Sequence, residues 1–198
     1  MNKFFKRLFD IICSTLGLMI LSPVLLIISL IIKLTSEGPV FFKQVRVGLN
    51  GEKFKILKFR TMVVDAEKLG KQITVGNDNR ITKIGAFLRK YKIDELPQLI
   101  NVLKGDMSLV GPRPEVPIYV NLYDENERRV LYVRPGITDL ASIKYRDENE
   151  LLGDKKDPED FYVNIIMRDK LVLNLEYIEK SNLFFDIYII MKTIVKCI

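Results

Sequence analysis

The sequence predicts an α+β domain that attaches to a membrane from one side. Three observations predict it. A stretch of 22 residues, Ile11 to Ile32, carries no charge. VFFKQVRVG and EKFKILKFRTM flank an Asn-Gly turn, as the two arms of a β-hairpin do. Most of the remaining chain shows helical spacing of apolar residues, and it ends in a nearly continuous apolar tail. A length of 198 residues suits one domain, 1–198, with enough apolar content for a core.

Taken in order, the apolar run reaches about 33 Å as one straight helix, enough to cross a hydrocarbon layer of roughly 30 Å. It is too long for the apolar core of a cleaved leader, and no small-residue cleavage pattern precedes Lys33. Pro23 removes a helix hydrogen bond near its middle, and Ser22 can satisfy the freed carbonyl, so a break there is tolerable in lipid. Lys3, Lys6 and Arg7 precede the run, and Lys33, Lys43, Arg46, Lys53, Lys55, Lys58 and Arg60 follow it. Basic flanks prefer the cytoplasmic side. A re-entrant helix broken at Ser22-Pro23 places both flanks there, which favours residues 1–36 as a membrane hairpin over a spanning helix and leaves the spanning helix open.

Past Gly38-Pro39 comes the hairpin, whose second arm alternates Phe54, Ile56 and Leu57 with Lys53, Lys55 and Lys58. Asp65 to Gln72 suggests a short helix, followed by the polar loop GNDN. From Arg80 the apolar positions Ile81, Ile84, Phe87, Leu88 and Tyr91 form one helical stripe. Asp124 to Val133 reads as another helix, ended by Arg134-Pro135-Gly136. Asp157-Pro158 is an N-cap and first-turn pair for a helix toward Arg168. Lys170 to Glu179 mixes leucines with charges. The tail, 181–198, reads as an interfacial helix, with residues 37–180 as the cytosolic part.

Composition narrows the chemistry. The balance of 31 basic against 25 acidic residues gives +6, which favours anionic partners. The basic residues are scattered rather than gathered in a stripe, which argues against nucleic acid. With no histidine, proton transfer near neutral pH falls to carboxylates, lysines or the substrate. Cys13 and Cys197 lie in apolar segments at opposite ends, with no metal or disulfide spacing.

The chemistry concentrates in KIDELPQLINVLKGDMSLVGPRP, residues 92–114. Asp94 reads as the N-cap of a helix, with Glu95 and Pro97 in its first turn and Gly105 closing it. Arg89 precedes the acid pair, and Arg113 is held between two prolines, which suits a guanidinium meeting phosphate at fixed geometry. An aspartate ringed by arginines stays ionised and can attack phosphorus. Beside a membrane segment, this suggests phosphoryl chemistry on a lipid.

These residues resemble the bacterial sugar transferases, the monotopic polyprenyl-phosphate phosphoglycosyl transferases. The resemblance is carried by KRLFDIICSTLGLMILSPV, KFRTM, RKYKIDELPQLINVLKGDMSLVGPRPE, VRPGIT and LVLNLEYIEKSNLFFDIYIIMKTI, and it covers nearly the whole chain as a minimal catalytic unit. It implies transfer of a sugar-1-phosphate from a UDP-sugar to undecaprenyl phosphate at the cytoplasmic face of the bacterial inner membrane, releasing UMP. It implies a phosphosugar intermediate on Asp94, with Glu95 beside it helping to position Mg²⁺ or the incoming phosphate. By motif position, Lys58, Arg89, Arg113 and Arg134 contact the acid pair or phosphates, and Arg60 packs the hairpin. The resemblance also supports the re-entrant break at Ser22-Pro23. After RPGIT this chain departs from the usual family pattern, reading DLASIKYRDENELL, so the sugar stays open. So do direct transfer with Asp94 and Glu95 serving only as metal ligands, a membrane-tethered binding protein, and a homodimer through the tail.

Overall fold

The computed structural model describes residues 3–66 and 78–197, so most of the Asp65–Gln72 helix expectation and part of the GNDN loop lie outside the described residues. The architecture is α+β, as expected, with small sheets held among helices. Helix α1 (Lys3–Thr35) contains the charge-free run and is long and apolar enough to cross a membrane. Its buried residues are Asp10, Ser14, Ile28 and Ile32, one pair near each end. The expected break at Ser22-Pro23 is not a break in helical structure. The backbone stays helical through Pro23, and Ser22 Oγ donates to Met19 O at 2.9 Å, so the serine partners a carbonyl of the preceding turn.

Strands β1 (Phe41–Val47) and β2 (Lys53–Phe59) pair antiparallel, from Phe41 opposite Phe59 to Val47 opposite Lys53. Asn50 and Gly51 both take positive φ at the tip, the conformation for which this dipeptide is suited. Arg60, just past β2, donates to the carbonyls of Ser36 and Glu37 and so ties the hairpin to the C-terminal end of α1. Ile28 and Ile32 of α1 pack there with Phe59 and Leu88.

Helix α2 (Lys83–Lys90) begins at Thr82, whose hydroxyl accepts from Gly85 N. Leu88 is its buried contact, whereas Phe87 and Tyr91 of the same stripe stack on each other and stay exposed. The chain then turns at Lys92, with φ of 55°, into a 3₁₀ turn over Ile93–Glu95, and α3 (Gln98–Lys104) follows. Asp94 is therefore not the helix cap that the sequence suggests. The helix starts after Pro97, with no side-chain cap, and the Asp94 carboxylate is left for other work. Gly105, at φ 95°, closes α3 as expected.

Strands β3 (Ser108–Val110) and β4 (Gly136–Thr138) pair in parallel. Where they meet, Gly111 and Gly136 pack so closely that a Cβ on Gly136 would stand 2.1 Å from Gly111 N. Between them lie α4 (Pro117–Val120) and a 3₁₀ helix over Glu127–Tyr132, within the helix expected over Asp124–Val133. Reciprocal Asp124–Glu127 backbone bonds start that segment. After β4 come α5 (Leu140–Lys144), α6 (Glu148–Gly153) and α7 (Pro158–Phe161), the last capped by Asp157 as expected. A π-helical turn over Tyr162–Ile166 joins α7 to α8 (Met167–Lys180), so the helix runs well past Arg168.

Helix α9 (Leu183–Cys197) has two faces. Asp186 is fully buried, paired with Lys6 Nζ at 2.7 Å and accepting from Tyr177 OH at 2.7 Å. Phe184, Tyr188, Met191 and Val195 form an exposed apolar stripe on the outside. The charge that interrupts the tail thus points inward to hold α1 and α8.

Candidate active site

The acid pair sits where α2, α3 and the hairpin converge. Asn101 of α3 fixes this junction. Its Oδ1 accepts from Leu57 N at 2.9 Å, and its Nδ2 donates to Lys55 O at 2.9 Å, so α3 is pinned along β2. Lys58, the next residue on the strand, then reaches Glu95 Oε1 at 2.9 Å. From the other side Arg113 Nη1 donates to Glu95 Oε2 at 3.0 Å, and Nη2 donates to Oε1. Both Glu95 oxygens are thereby engaged.

Arg113 is itself held by a residue that the sequence reading passed over. Asp139, fully buried, accepts from Arg113 N at 3.1 Å with one oxygen and caps α5 through Ser142 N with the other. An Asx cap ahead of Leu-Ala-Ser was a legible signal for the helix start. That the same carboxylate reaches across to the Pro-Arg-Pro loop depends on tertiary packing, as does the role of Asn101.

Asp94 is only 7% exposed and lines a cavity of about 2580 Å³ together with Lys58, Arg89, Glu95 and Arg113. Its Oδ1 is buried and has no hydrogen-bond partner among the described residues. A buried carboxylate oxygen in that condition is rare and costly, and such groups concentrate at functional sites. Electrostatics separate the two acids. Burial, with the neighbouring Glu95 charge, pushes the Asp94 carboxyl up, against the opposing pull of Lys58, Arg89 and Lys92. Burial would raise Glu95 too, but Arg113 and Lys58 outweigh it and hold that carboxyl well below the usual range. The ring of cations expected to keep Asp94 ionised thus acts chiefly on its neighbour, because Glu95 makes the direct contacts.

The other sequence-nominated residues divide. Arg89 lines the cavity, donates from Nε to Thr61 Oγ1 at 2.8 Å and acts on Asp94 through its charge. Arg134 is not brought to the acid pair. Its Nε donates to Gly105 O at 2.9 Å, at the far end of α3, where Arg7 also caps the carbonyls of Val102 and Leu103. Arg60 belongs to the junction of hairpin and α1 described above.

For a divalent cation the fit is partial. Among the described residues no group of three or more His, Cys, Asp or Glu gathers as a metal site. Of the expected Asp94–Glu95 ligand pair, both Glu95 oxygens are engaged by Lys58 and Arg113, and Asp94 carries the unengaged oxygen. One carboxylate with a free oxygen suits Mg²⁺, which is commonly held by one or two carboxylates and by substrate phosphates.

The family model of the bacterial sugar transferases matches residues 1–198. The chain is 41% identical to the UDP-glucose:undecaprenyl-phosphate glucose-1-phosphate transferase of Escherichia coli K12, over 98% of this chain and 40% of that protein. It is 40% identical to a UDP-N-acetylgalactosamine-undecaprenyl-phosphate N-acetylgalactosaminephosphotransferase of Aeromonas hydrophila, over 96% and 43%. It is 34% identical to the exopolysaccharide production protein ExoY of Rhizobium meliloti, over 96% and 83%. The chain thus spans about two fifths of the first two relatives' length. A match along the whole chain, with the acid pair and the Pro-Arg-Pro loop converging on one cavity, makes this protein a member of the bacterial sugar transferase family.

Proposed function

We propose that the chain transfers a sugar-1-phosphate from a UDP-sugar to undecaprenyl phosphate and releases UMP, as a single catalytic domain in surface-glycan synthesis. The observation that carries this reading is the contrast between the acids: both Glu95 oxygens are engaged by Lys58 and Arg113, while Asp94 keeps an unengaged oxygen in the cavity wall.

In the first step a carboxylate oxygen of Asp94 attacks the β-phosphorus of the donor. The bond from that phosphorus to the bridging oxygen breaks, and UMP leaves with the electron pair. In the second step an oxygen of undecaprenyl phosphate attacks the same phosphorus and Asp94 leaves as carboxylate, giving the sugar diphospholipid. Asp94 must be ionised for the first step and is regenerated ionised in the second, so no histidine is needed. Lys58, Arg89 and Arg113 supply positive charge for the phosphoryl oxygens. Arg113, whose fork holds Glu95, contributes its charge from a fixed place, since Asp139 fixes its backbone. Mg²⁺ bound with the diphosphate would take Asp94 as its protein ligand and offset the charge of that group.

The lipid substrate requires a bilayer nearby, and we place α1 as a re-entrant element of the cytoplasmic face of the inner membrane. Two facts support this. Both ends of α1 dock on the same body, through Lys6, Arg7 and Asp10 at one end and Ile28, Ile32 and Ser36 at the other. The exposed apolar stripe of α9 offers a second surface for the interface.

The test is UMP release by detergent-solubilised protein with Mg²⁺, undecaprenyl phosphate and a panel of UDP-sugars, with Asp94→Asn in parallel. Release that vanishes in the variant, with a labelled sugar-phosphate trapped on the wild-type protein, supports the reading. Release that survives Asp94→Asn assigns direct transfer instead.

A further inference from the structure

The cavity that holds Asp94 extends to a wall built from α5 and α8, and two polar atoms on that wall have no partner. Asn174 lies on the inward stripe of α8 between Leu171 and Tyr177, is 5% exposed, and leaves Oδ1 unbonded among the described residues. Ser142 of α5 lines the same cavity and leaves Oγ unbonded. Both are buried polar atoms whose hydrogen bonds are missing, where nearly all such atoms in folded proteins are paired. An amide oxygen amid apolar contacts costs stability unless something supplies a donor.

We propose that Asn174 and Ser142 read the hydroxyl pattern of the transferred sugar. This rests on the sugar-phosphate transfer argued above. Asn174 Oδ1 accepts one sugar hydroxyl, and Ser142 Oγ pairs with another. The chemistry of the atoms selects this part of the donor, since an amide oxygen repels phosphate and calls for an O–H or N–H. Position selects it as well. The Asp139 carboxylate bonds both Arg113 N and Ser142 N, so Ser142 stands two hydrogen bonds away from the loop whose guanidinium holds Glu95. The sugar is one ester bond from the phosphorus that joins Asp94, whereas the uridine lies beyond the second phosphate and departs with it.

The experiment compares wild type, Asn174→Leu and Ser142→Ala in UMP release from UDP-glucose, UDP-galactose and UDP-N-acetylgalactosamine, together with inhibition by UMP and thermal melting. Leucine has the same number and branching of side-chain heavy atoms as asparagine and removes the unpaired oxygen, so the melting temperature of Asn174→Leu should stay close to that of wild type. The kcat/KM ratio between the preferred donor and its epimer should collapse by about tenfold, the order expected for one lost neutral hydrogen bond. Inhibition by UMP should be unchanged. Wild-type ratios retained in both variants overturn the proposal. So does a uniform loss across donors with weakened UMP inhibition, which would make the wall a uracil site. A markedly lower melting temperature for Asn174→Leu overturns it too, since the oxygen would then have an internal partner. A wild type that releases no UMP from any donor overturns the transfer reading itself, a result distinct from the others.

Discussion

Arg113 and Glu95 meet as a two-point pair, with Nη1 on Oε2 at 3.0 Å and Nη2 on Oε1. With Lys58 also on Oε1, both oxygens of one carboxylate are engaged, while its neighbour, Asp94, keeps an open oxygen. Two adjacent acids of nearly the same chemistry are thereby given different tasks. In the proposed transfer Glu95 positions the cations, and Asp94 is available to a phosphorus.

Replacing Arg113 by lysine tests whether the fork matters or only the charge. Lysine keeps the charge but cannot bond both Glu95 oxygens in one plane. Loss of one charge-assisted hydrogen bond is worth about 1.5–3 kcal/mol, or roughly 10- to 100-fold in kcat/KM. UMP release by Arg113→Lys should fall by about that factor, and the melting temperature should drop by several degrees, because the same pair holds the Pro-Arg-Pro loop to the acid turn in the folded protein. Wild-type turnover in this variant would show that the two-point geometry is dispensable.

The pH profile should carry the signature of the acid pair. Asp94 works only when ionised, and its carboxyl is raised by burial and by Glu95, so activity should fail on acidification sooner than for an ordinary aspartate. Glu95→Gln removes the charge that raises the Asp94 carboxyl. Removing the raising charge, with Lys58, Arg89 and Lys92 still acting on Asp94, lowers its pKa, so the acid limb of kcat/KM should move to lower pH even as the maximum rate drops. An acid limb that stays in place or moves up would sink the assignment. Stability should also fall on acidification, through Glu95. Its folded carboxyl lies below the unfolded value, so its pairs stabilise the protein above about pH 4.5 and lose that contribution as the pH falls through the folded value.

Much of this arrangement was legible where local chemistry dictates local structure. Asn50-Gly51 marked the hairpin, Gly105 the end of α3, and Asp157-Pro158 the start of α7. The error at Asp94 came from the same rules. Asp followed by a proline three residues on is what a capped helix looks like, but Lys92 takes a positive φ with no glycine to announce it, and a 3₁₀ turn intervenes. Asp139 and Asn101 were missed because their partners, Arg113 N and the backbone of β2, are 26 and more residues away. Motif position nominated Arg134 for phosphate, yet nothing local distinguishes a guanidinium that meets a ligand from one that caps a helix.

Arg134→Ala should therefore act on stability and not on phosphate. It removes a charged donor from Gly105 O at the C-terminal end of α3, worth about 1.5–3 kcal/mol. A melting temperature lower by several degrees is expected, with kcat/KM of the folded protein within about twofold of wild type. A loss of a hundredfold or more in kcat/KM at unchanged stability would return Arg134 to the active site.

The membrane arrangement of α1 makes the sharpest topological prediction. Straight, its 33 residues would extend about 50 Å, more than the whole bilayer including headgroups. Yet its buried residues fall into two pairs, Asp10 with Ser14 and Ile28 with Ile32, and both ends are bonded to the same body. A body on one face of a membrane can hold both ends only if both ends lie on that face. Pro23, between the pairs, lacks the N–H that would hold the helix straight and is where bending costs least. In a Cys13→Ser, Cys197→Ser background, single cysteines at Lys3 and Glu37 should both react with a membrane-impermeant maleimide in inverted vesicles and neither in right-side-out ones. If each position reacts from a different side, the helix spans, and the docking of its two ends on one body cannot persist in the bilayer.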